Sequence, residues 1–126
     1  MVRTCGRLGA PLRRVFFGGV LVAAALACAS PTLPLPPPSI PSVSRSTDAD
    51  HVVLASACGG AEPNAIVVIQ NTRPTVPGNL AVSGARATGC GSWDAIVYAH
   101  TGDYLELWQE FGTTVSTSTF VVVPSL

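Results

Sequence analysis

The second half of the chain alternates apolar and polar residues in short runs, which are separated by glycine, proline, asparagine, aspartate or threonine. This pattern is typical of half-buried β-strands, and no stretch sustains the period of 3.6 that an amphipathic helix requires. Six strands are predicted, at 51–55, 65–71, 79–85, 92–99, 103–111 and 119–123. Strands of this length and spacing predict a small all-β sandwich.

The alternation also assigns faces to the strands at 92–99 and 103–111. Charged residues mark the solvent face, since antiparallel sheets commonly bury only one face. Four large side chains are therefore predicted on or near solvent, as candidate binding residues: Ile96, Tyr98, Tyr104 and Trp108. The inward set of the second strand is Leu105, Leu107, Gln109 and Phe111. A hairpin at 100–102 would gather the four candidates into one cluster, whereas a crossing between sheets would split it. Ordinary cross-strand packing is the alternative role for them.

The first 30 residues follow another pattern, in which four arginines accompany the 13-residue apolar run Val15–Ala27. This is the layout of an export signal, and the run is shorter than the about 20 residues that a transmembrane helix needs. Residues 1–27 are therefore interpreted as a removed signal peptide. Arg13 and Arg14 also resemble the core of a twin-arginine signal, so the export route stays open.

Cys28 follows the residues Ala-Leu-Ala, which resemble a bacterial lipoprotein box. Its thiol would take up a diacylglycerol and hold the protein on the membrane through a lipid anchor. Ala27-Cys28-Ala29 also fits the A-x-A rule of ordinary signal peptidase, which would cut before Ser30. We expect a lipoprotein of the cell membrane or outer membrane, with a periplasmic or secreted protein as the alternative.

Residues 28–50 are predicted to form a proline-rich linker, because six prolines lie within 30–47. Proline fixes φ and removes a backbone donor, so neither helix nor sheet is expected there. As a polyproline II segment of about 3.1 Å per residue, 30–47 would reach about 55 Å and tether a domain clear of the membrane. The folded domain is predicted at 51–126.

Removal of the signal peptide changes the number of cysteines and the net charge of the chain. Cys5 leaves with the signal, so Cys58 and Cys90 remain as an even pair in an oxidising compartment, and we predict a disulfide between them. Residues 29–126 hold three arginines, no lysine and seven acidic residues, a net charge of −4. This composition disfavours nucleic acid as a partner, because nucleic acid requires clustered Lys and Arg.

No catalytic motif is evident. His51 or His100 could be combined with Asp103 and a serine into a triad, but the chain has no G-x-S-x-G nucleophile elbow. Asp48 and Asp50 could join His51 as metal ligands, although a solvated turn is the alternative. We expect a protein that is not an enzyme and that uses no cofactor or metal.

Short motifs from 58 to 124 carry a family resemblance. They are Glu62-Pro63-Asn64-Ala65 before a strand, Gly91-Ser92-Trp93 opening another, Ala99-His100-Thr101-Gly102-Asp103 at a turn, and Ser116 before the strand ending in Val123-Pro124. Together they resemble bacterial immunoglobulin-like repeat domains. The resemblance implies an immunoglobulin-like β-sandwich that serves as a spacer or adhesive module, with a sheet crossing at 100–103 and no catalytic residues.

The expected function is thus a non-catalytic structural or adhesive module of the cell envelope, with an envelope protein or glycan as its partner. The alternative is a small secreted ligand-binding or inhibitor protein that uses an exposed aromatic face. Glu106 and Glu110 share the face of Trp108, which would suit a carbohydrate-binding strip; a solvated sheet face is the competing interpretation.

Overall fold

Eight β-strands make up the part of the chain that the structure describes, and no helix occurs in it. The structure is a computed structural model that describes residues 33–126, which form one compact unit. The predicted signal peptide and Cys28 lie outside the described residues. The strands are β1 (Ser42–Arg45), β2 (His51–Ser56), β3 (Ile66–Asn71), β4 (Val82–Arg86), β5 (Trp93–Tyr98), β6 (Tyr104–Phe111), β7 (Thr114–Val115) and β8 (Thr119–Val122).

The strands form two antiparallel sheets. The three-stranded sheet has the order β1-β2-β5. In the five-stranded sheet the order is β4-β3-β6, and both β7 and β8 pair with β6. All six predicted strands are present, with ends shifted by up to three residues, and the all-β sandwich prediction is confirmed.

The core lies between the sheets and follows the alternation of the strands. The buried residues come mainly from β2, β3, β5, β6 and β8, which contribute every second residue because successive side chains of a strand point to opposite faces. The fully buried members include Leu54, Val67, Ile69, Val97, Leu105 and Leu107. Phe111 departs from the predicted inward set. It is 48% exposed, because β6 extends past the core at its C-terminal end.

Residues 33–41, which we call the strap, pack against the domain. Pro38 and Pro41 are buried. The side-chain amide of Gln109 donates to the Pro36 carbonyl at 2.6 Å, and the Thr119 hydroxyl donates to the Pro38 carbonyl at 2.8 Å. The segment is therefore part of the folded unit, which begins at Leu33.

The expectation that residues 30–47 form no sheet is wrong. Ser42–Arg45 forms β1, which pairs with β2 in an antiparallel register that sets Val43 opposite Leu54. The reason is local composition: the four residues Ser-Val-Ser-Arg contain no proline, so each keeps a backbone N–H. The prolines end at Pro41, directly before the strand.

The chain crosses from one sheet to the other between β5 and β6. β5 pairs with β2, whereas β6 pairs with β3 and β8. The turn at 99–103 contains Gly102 at φ +87°, and the Asp103 N–H donates to the His100 carbonyl at 3.0 Å. Of the two arrangements left open by the sequence, the crossing is the one observed.

A disulfide joins Cys58 in the β2–β3 loop to Cys90 in the β4–β5 loop, as predicted. Backbone hydrogen bonds from Gly59 to the Cys90 carbonyl and from Ala61 to the Gly91 carbonyl join the same two loops. The disulfide is the form expected of an exported protein. Within residues 33–126, no helix is long and apolar enough to span a membrane.

Candidate functional site

The solvent side of the five-stranded sheet carries the largest group of exposed apolar side chains in the described part of the chain. We call this surface the outer face. Tyr104 and Phe120 are each 60% exposed there, Val82 is 53% exposed and Val122 is 50% exposed. Its members are Ile66, Val68, Gln70, Val82, Gly84, Arg86, Tyr104, Glu106, Trp108, Glu110, Val115, Phe120 and Val122.

Strand register arranges these side chains in rows across the sheet. One row runs from Val82 through Gln70 and Glu106 to Phe120. Neighbouring residues in such a row lie about 5 Å apart, which is close enough for their side chains to touch. In this row the polar side chains of the two central strands lie between apolar side chains of the outer strands.

Trp108 lies in the next row, beside Val68, and Gly84 lies on the far side of Val68. The indole N–H of Trp108 donates to a carboxylate oxygen of Glu110 at 3.0 Å, so the ring is oriented by a neighbour on its own strand. Glu106 accepts a hydrogen bond from the Ser118 hydroxyl at 2.6 Å. Glu110 thus orients the indole ring, and Glu106 holds the Ser118 hydroxyl.

The four predicted binding residues do not form one cluster. Tyr104 and Trp108 lie on the outer face, but Ile96 and Tyr98 belong to the three-stranded sheet, because the chain crosses between the sheets at 99–103. Ile96 is 63% exposed. Tyr98 is half-buried and packs edge-on between His51 and His100, with ring centroids 5.5 and 5.3 Å away.

Sequence reasoning missed the outer-face residues on β3, β4 and β8. Phe120 and Val122 could have been found from alternation alone, because Val121 and Val123 are buried and their neighbours must point outward. Ile66 and Val82 needed the order of strands in the sheet. That order is set by pairing between segments distant in sequence, for which no local signal exists.

A polar cluster lies at the opposite end of the sandwich from the β6–β7 hairpin. His100 accepts a hydrogen bond at Nδ1 from the Arg73 guanidinium at 2.8 Å, so its proton is on Nε2, which lies 2.9 Å from Asp50 and donates to it. Asp103 is buried and accepts hydrogen bonds from the Asn71 amide at 2.8 Å and from the backbone N–H of His100 at 2.9 Å. This network fixes the turn that connects the two sheets.

An open cleft of about 550 Å³ adjoins this cluster, with His51 and His100 in its lining. In residues 33–126, neither ring is hydrogen-bonded to a serine, threonine or cysteine side chain, and Asp103 contacts the backbone of His100 rather than its ring. Neither histidine of the described cleft is therefore hydrogen-bonded to a side-chain nucleophile in the way a catalytic triad pairs them.

The turn at 48–51 carries Asp48, Asp50 and His51, the residues that could have served as metal ligands. The Asp48 carboxylate accepts the backbone N–H of Asp50 at 3.0 Å, and this bond, with His51 nearby, lowers the pKa of Asp48. His51 Nδ1 lies 3.0 Å from Asp48, but its direction does not satisfy hydrogen-bond geometry. Among the residues described, no group of three or more His, Cys, Asp or Glu side chains could hold a metal ion. The turn is a solvated connection between β1 and β2.

No protein-family model, curated protein or solved structure matches this chain.

Proposed function

We propose that this chain is a non-catalytic module of the cell envelope, anchored by a lipid on Cys28, that binds an envelope protein or glycan through the outer face. The observation that carries the proposal is the group of exposed apolar side chains there, with Tyr104 and Phe120 each 60% exposed. A concentration of large exposed apolar side chains on one face of a folded domain, as opposed to isolated ones, marks an interaction site. The Cys58–Cys90 disulfide supports the exported location.

The proposed fold family is the bacterial immunoglobulin-like repeat. Two antiparallel sheets and the crossing at 99–103 support it, since both features accompany the motifs on which the resemblance was based. Domains of that kind act as spacers or adhesive modules. The cysteine pair distinguishes this chain from them.

The dimensions of the outer face indicate a modest affinity. Four strands spaced at about 4.8 Å and a length of about 20 Å along β6 give roughly 400 Å². A standard protein interface buries about 800 Å² on each partner, so the outer face alone supports a weak or transient contact. Avidity from many copies in one membrane would strengthen such a contact.

Alanine variants of the outer face test the proposed binding. Binding of the purified mature protein is measured against two fractions of the envelope, its isolated glycan and its isolated proteins. Trp108→Ala and Phe120→Ala should each weaken binding by roughly tenfold or more, as expected for aromatic hot spots. Ile96→Ala, at an equally exposed apolar residue of the other sheet, should leave it unchanged. If the two aromatic variants keep their melting temperatures and bind like the unsubstituted protein, the proposed surface is wrong.

The lipid anchor has its own test. The intact mass of the protein purified from native membranes should equal that of a chain beginning at Cys28 with an added diacylglycerol. An unmodified chain beginning at Ser30 would contradict the anchor. That result would favour the second candidate, a secreted ligand-binding protein that uses the same outer face.

A further inference from the structure

The strap enters the domain beside β6, and its two side-chain contacts give its direction along that strand. Pro36 lies beside Gln109, and Pro38 lies beside Thr119, which pairs with Leu107. From Pro36 to Pro38 the strap therefore runs from the level of Gln109 to the level of Leu107 along β6. Followed backward, residues 33–35 lead toward the end of the sandwich at which β6 finishes.

That end, which we call the hairpin end, has three connections. The β6–β7 hairpin turns there at Gly112, as shown by the pairing of Phe111 with Thr114. The β2–β3 and β4–β5 loops lie at the same end, because Ile66 and Arg86 pair at the level of Glu110. The C-terminal residues lie at the opposite end, where the Thr101 hydroxyl donates to the Pro124 carbonyl.

The hairpin end exposes apolar side chains that the core does not use. Leu33 is 87% exposed, Phe111 is 48% exposed and Val115 is 60% exposed. Phe111 and Val115 flank the tip of the hairpin on opposite faces of the sheet, Val115 being an outer-face residue beside that tip. Leu33 begins the strap three residues before Pro36. Covering large apolar side chains such as these with an apolar partner is favourable, because it removes their surface from water.

The length of chain before Pro36 limits where a lipid on Cys28 can lie. Eight residues separate the two positions, and at about 3.3–3.6 Å per residue they reach at most roughly 29 Å. Leu33 is only five residues from Cys28, a reach of at most roughly 18 Å. Because the strap is docked, the tether before Pro36 is only about half as long as the tether of about 55 Å that composition alone predicted.

We propose that the hairpin end is a membrane-contact surface, on which Leu33, Phe111 and Val115 rest against the lipid bilayer to which Cys28 is anchored. This inference rests on the proposed lipid anchor. Phe and Leu are suited to the boundary between headgroups and acyl chains, and a short tether keeps them at high local concentration beside it. The outer face would then stand beside the membrane, and the polar cluster at His100 would point away from it.

Tryptophan probes test the orientation separately from the natural anchor. Mature protein beginning at Cys28 is coupled through that thiol to a maleimide phospholipid in phosphatidylcholine vesicles, with or without brominated acyl chains, which quench tryptophan emission at short range. Phe111→Trp and Val115→Trp place probes at the hairpin end, and Ser125→Trp places a matched exposed probe at the opposite end. The unsubstituted protein gives the baseline from Trp93 and Trp108.

The two hairpin-end probes should lose emission in brominated vesicles, and Ser125→Trp should not. Equal quenching at both ends, quenching of Ser125→Trp alone, or no quenching at either hairpin-end probe would overturn the proposed contact. Because the coupling supplies the lipid chemically, none of these results depends on natural acylation. Whether the natural anchor exists is decided separately, by the intact mass of the protein from native membranes.

Discussion

Replacing Gln109 by methionine tests the role of the strap in the fold. Gln109 is 1% exposed and faces the core from β6, among apolar side chains. Its side-chain oxygen accepts the backbone N–H of Glu62 at 2.7 Å, and its amide nitrogen donates to the Pro36 carbonyl at 2.6 Å. Methionine has a similar length and volume but can replace neither bond, so Gln109→Met removes the polar contacts with little change in packing.

The size of the effect follows from what the substitution leaves behind. An unsatisfied buried polar group costs about 1–3 kcal/mol, and two backbone groups lose their partner here. Both Glu62 and Pro36 are exposed residues, so water can reach part of each group. We therefore expect a loss of about 2 kcal/mol, toward the lower end of the sum. At about 1–3 kcal/mol per molar urea, this loss lowers the midpoint of unfolding by roughly 0.7–2 M.

Urea unfolding of the mature protein, followed by tryptophan fluorescence with the disulfide intact, measures this change. Gln70→Met is the matched control. Gln70 is half-buried on the outer face, and its side chain makes no hydrogen bond to another described residue. The control should stay within about 0.5 kcal/mol of the unsubstituted protein. If Gln109→Met also stays within that range, Gln109 does not hold the strap as argued.

Three further predictions concern stability. Serine at both cysteines of the disulfide should lower the free energy of unfolding by roughly 3–4 kcal/mol, the chain-entropy value for the 32-residue separation; an unchanged urea midpoint would contradict it. Gly91→Ala should destabilise the fold by about 1–3 kcal/mol or more, because Gly91 has φ +82° and an added Cβ would collide with the Ala61 carbonyl. Gly89→Ala is the control: an added Cβ there meets no other atom, so its urea midpoint should be nearly unchanged. The pKa of Asp48 is lowered in the folded state, so the ionised carboxylate makes a small stabilising contribution above its unfolded pKa, and this contribution is lost as pH falls through the lower folded pKa. Asp48→Asn should therefore show a smaller fall in melting temperature between pH 5 and pH 2 than the unsubstituted protein. An identical fall in the two proteins would refute this.

Local alternation was enough to find most of the fold. Each of the six predicted strands is present, because one face of each lies in the core and the sequence records that burial as a period of two. β1 was missed because six prolines dominate the composition around it, although Ser42–Arg45 itself has none. β7 has only two residues, too few to show any period.

Non-local pairing explains what the sequence did not reveal about the site. Tyr104 and Trp108 were placed on a solvent face correctly, but their neighbours Val82 and Phe120 come from strands on the two sides of β3 and β6. The inward position of Gln109 followed from alternation. Its partner at Pro36 lies 73 residues earlier, and no local pattern connects the two.

The strap also sets the order in which the domain can fold during synthesis and export. Its carbonyls at Pro36 and Pro38 are bound by side chains 73 and 81 residues later, in β6 and β8. The strap, which is synthesised first, can therefore dock only after β6 and β8 have been synthesised. Contacts between segments so distant in sequence slow folding. Until β8 has been synthesised, the five-stranded sheet that packs across the core from β1 and β2 is incomplete. The N-terminal and C-terminal ends of the domain therefore complete the fold together.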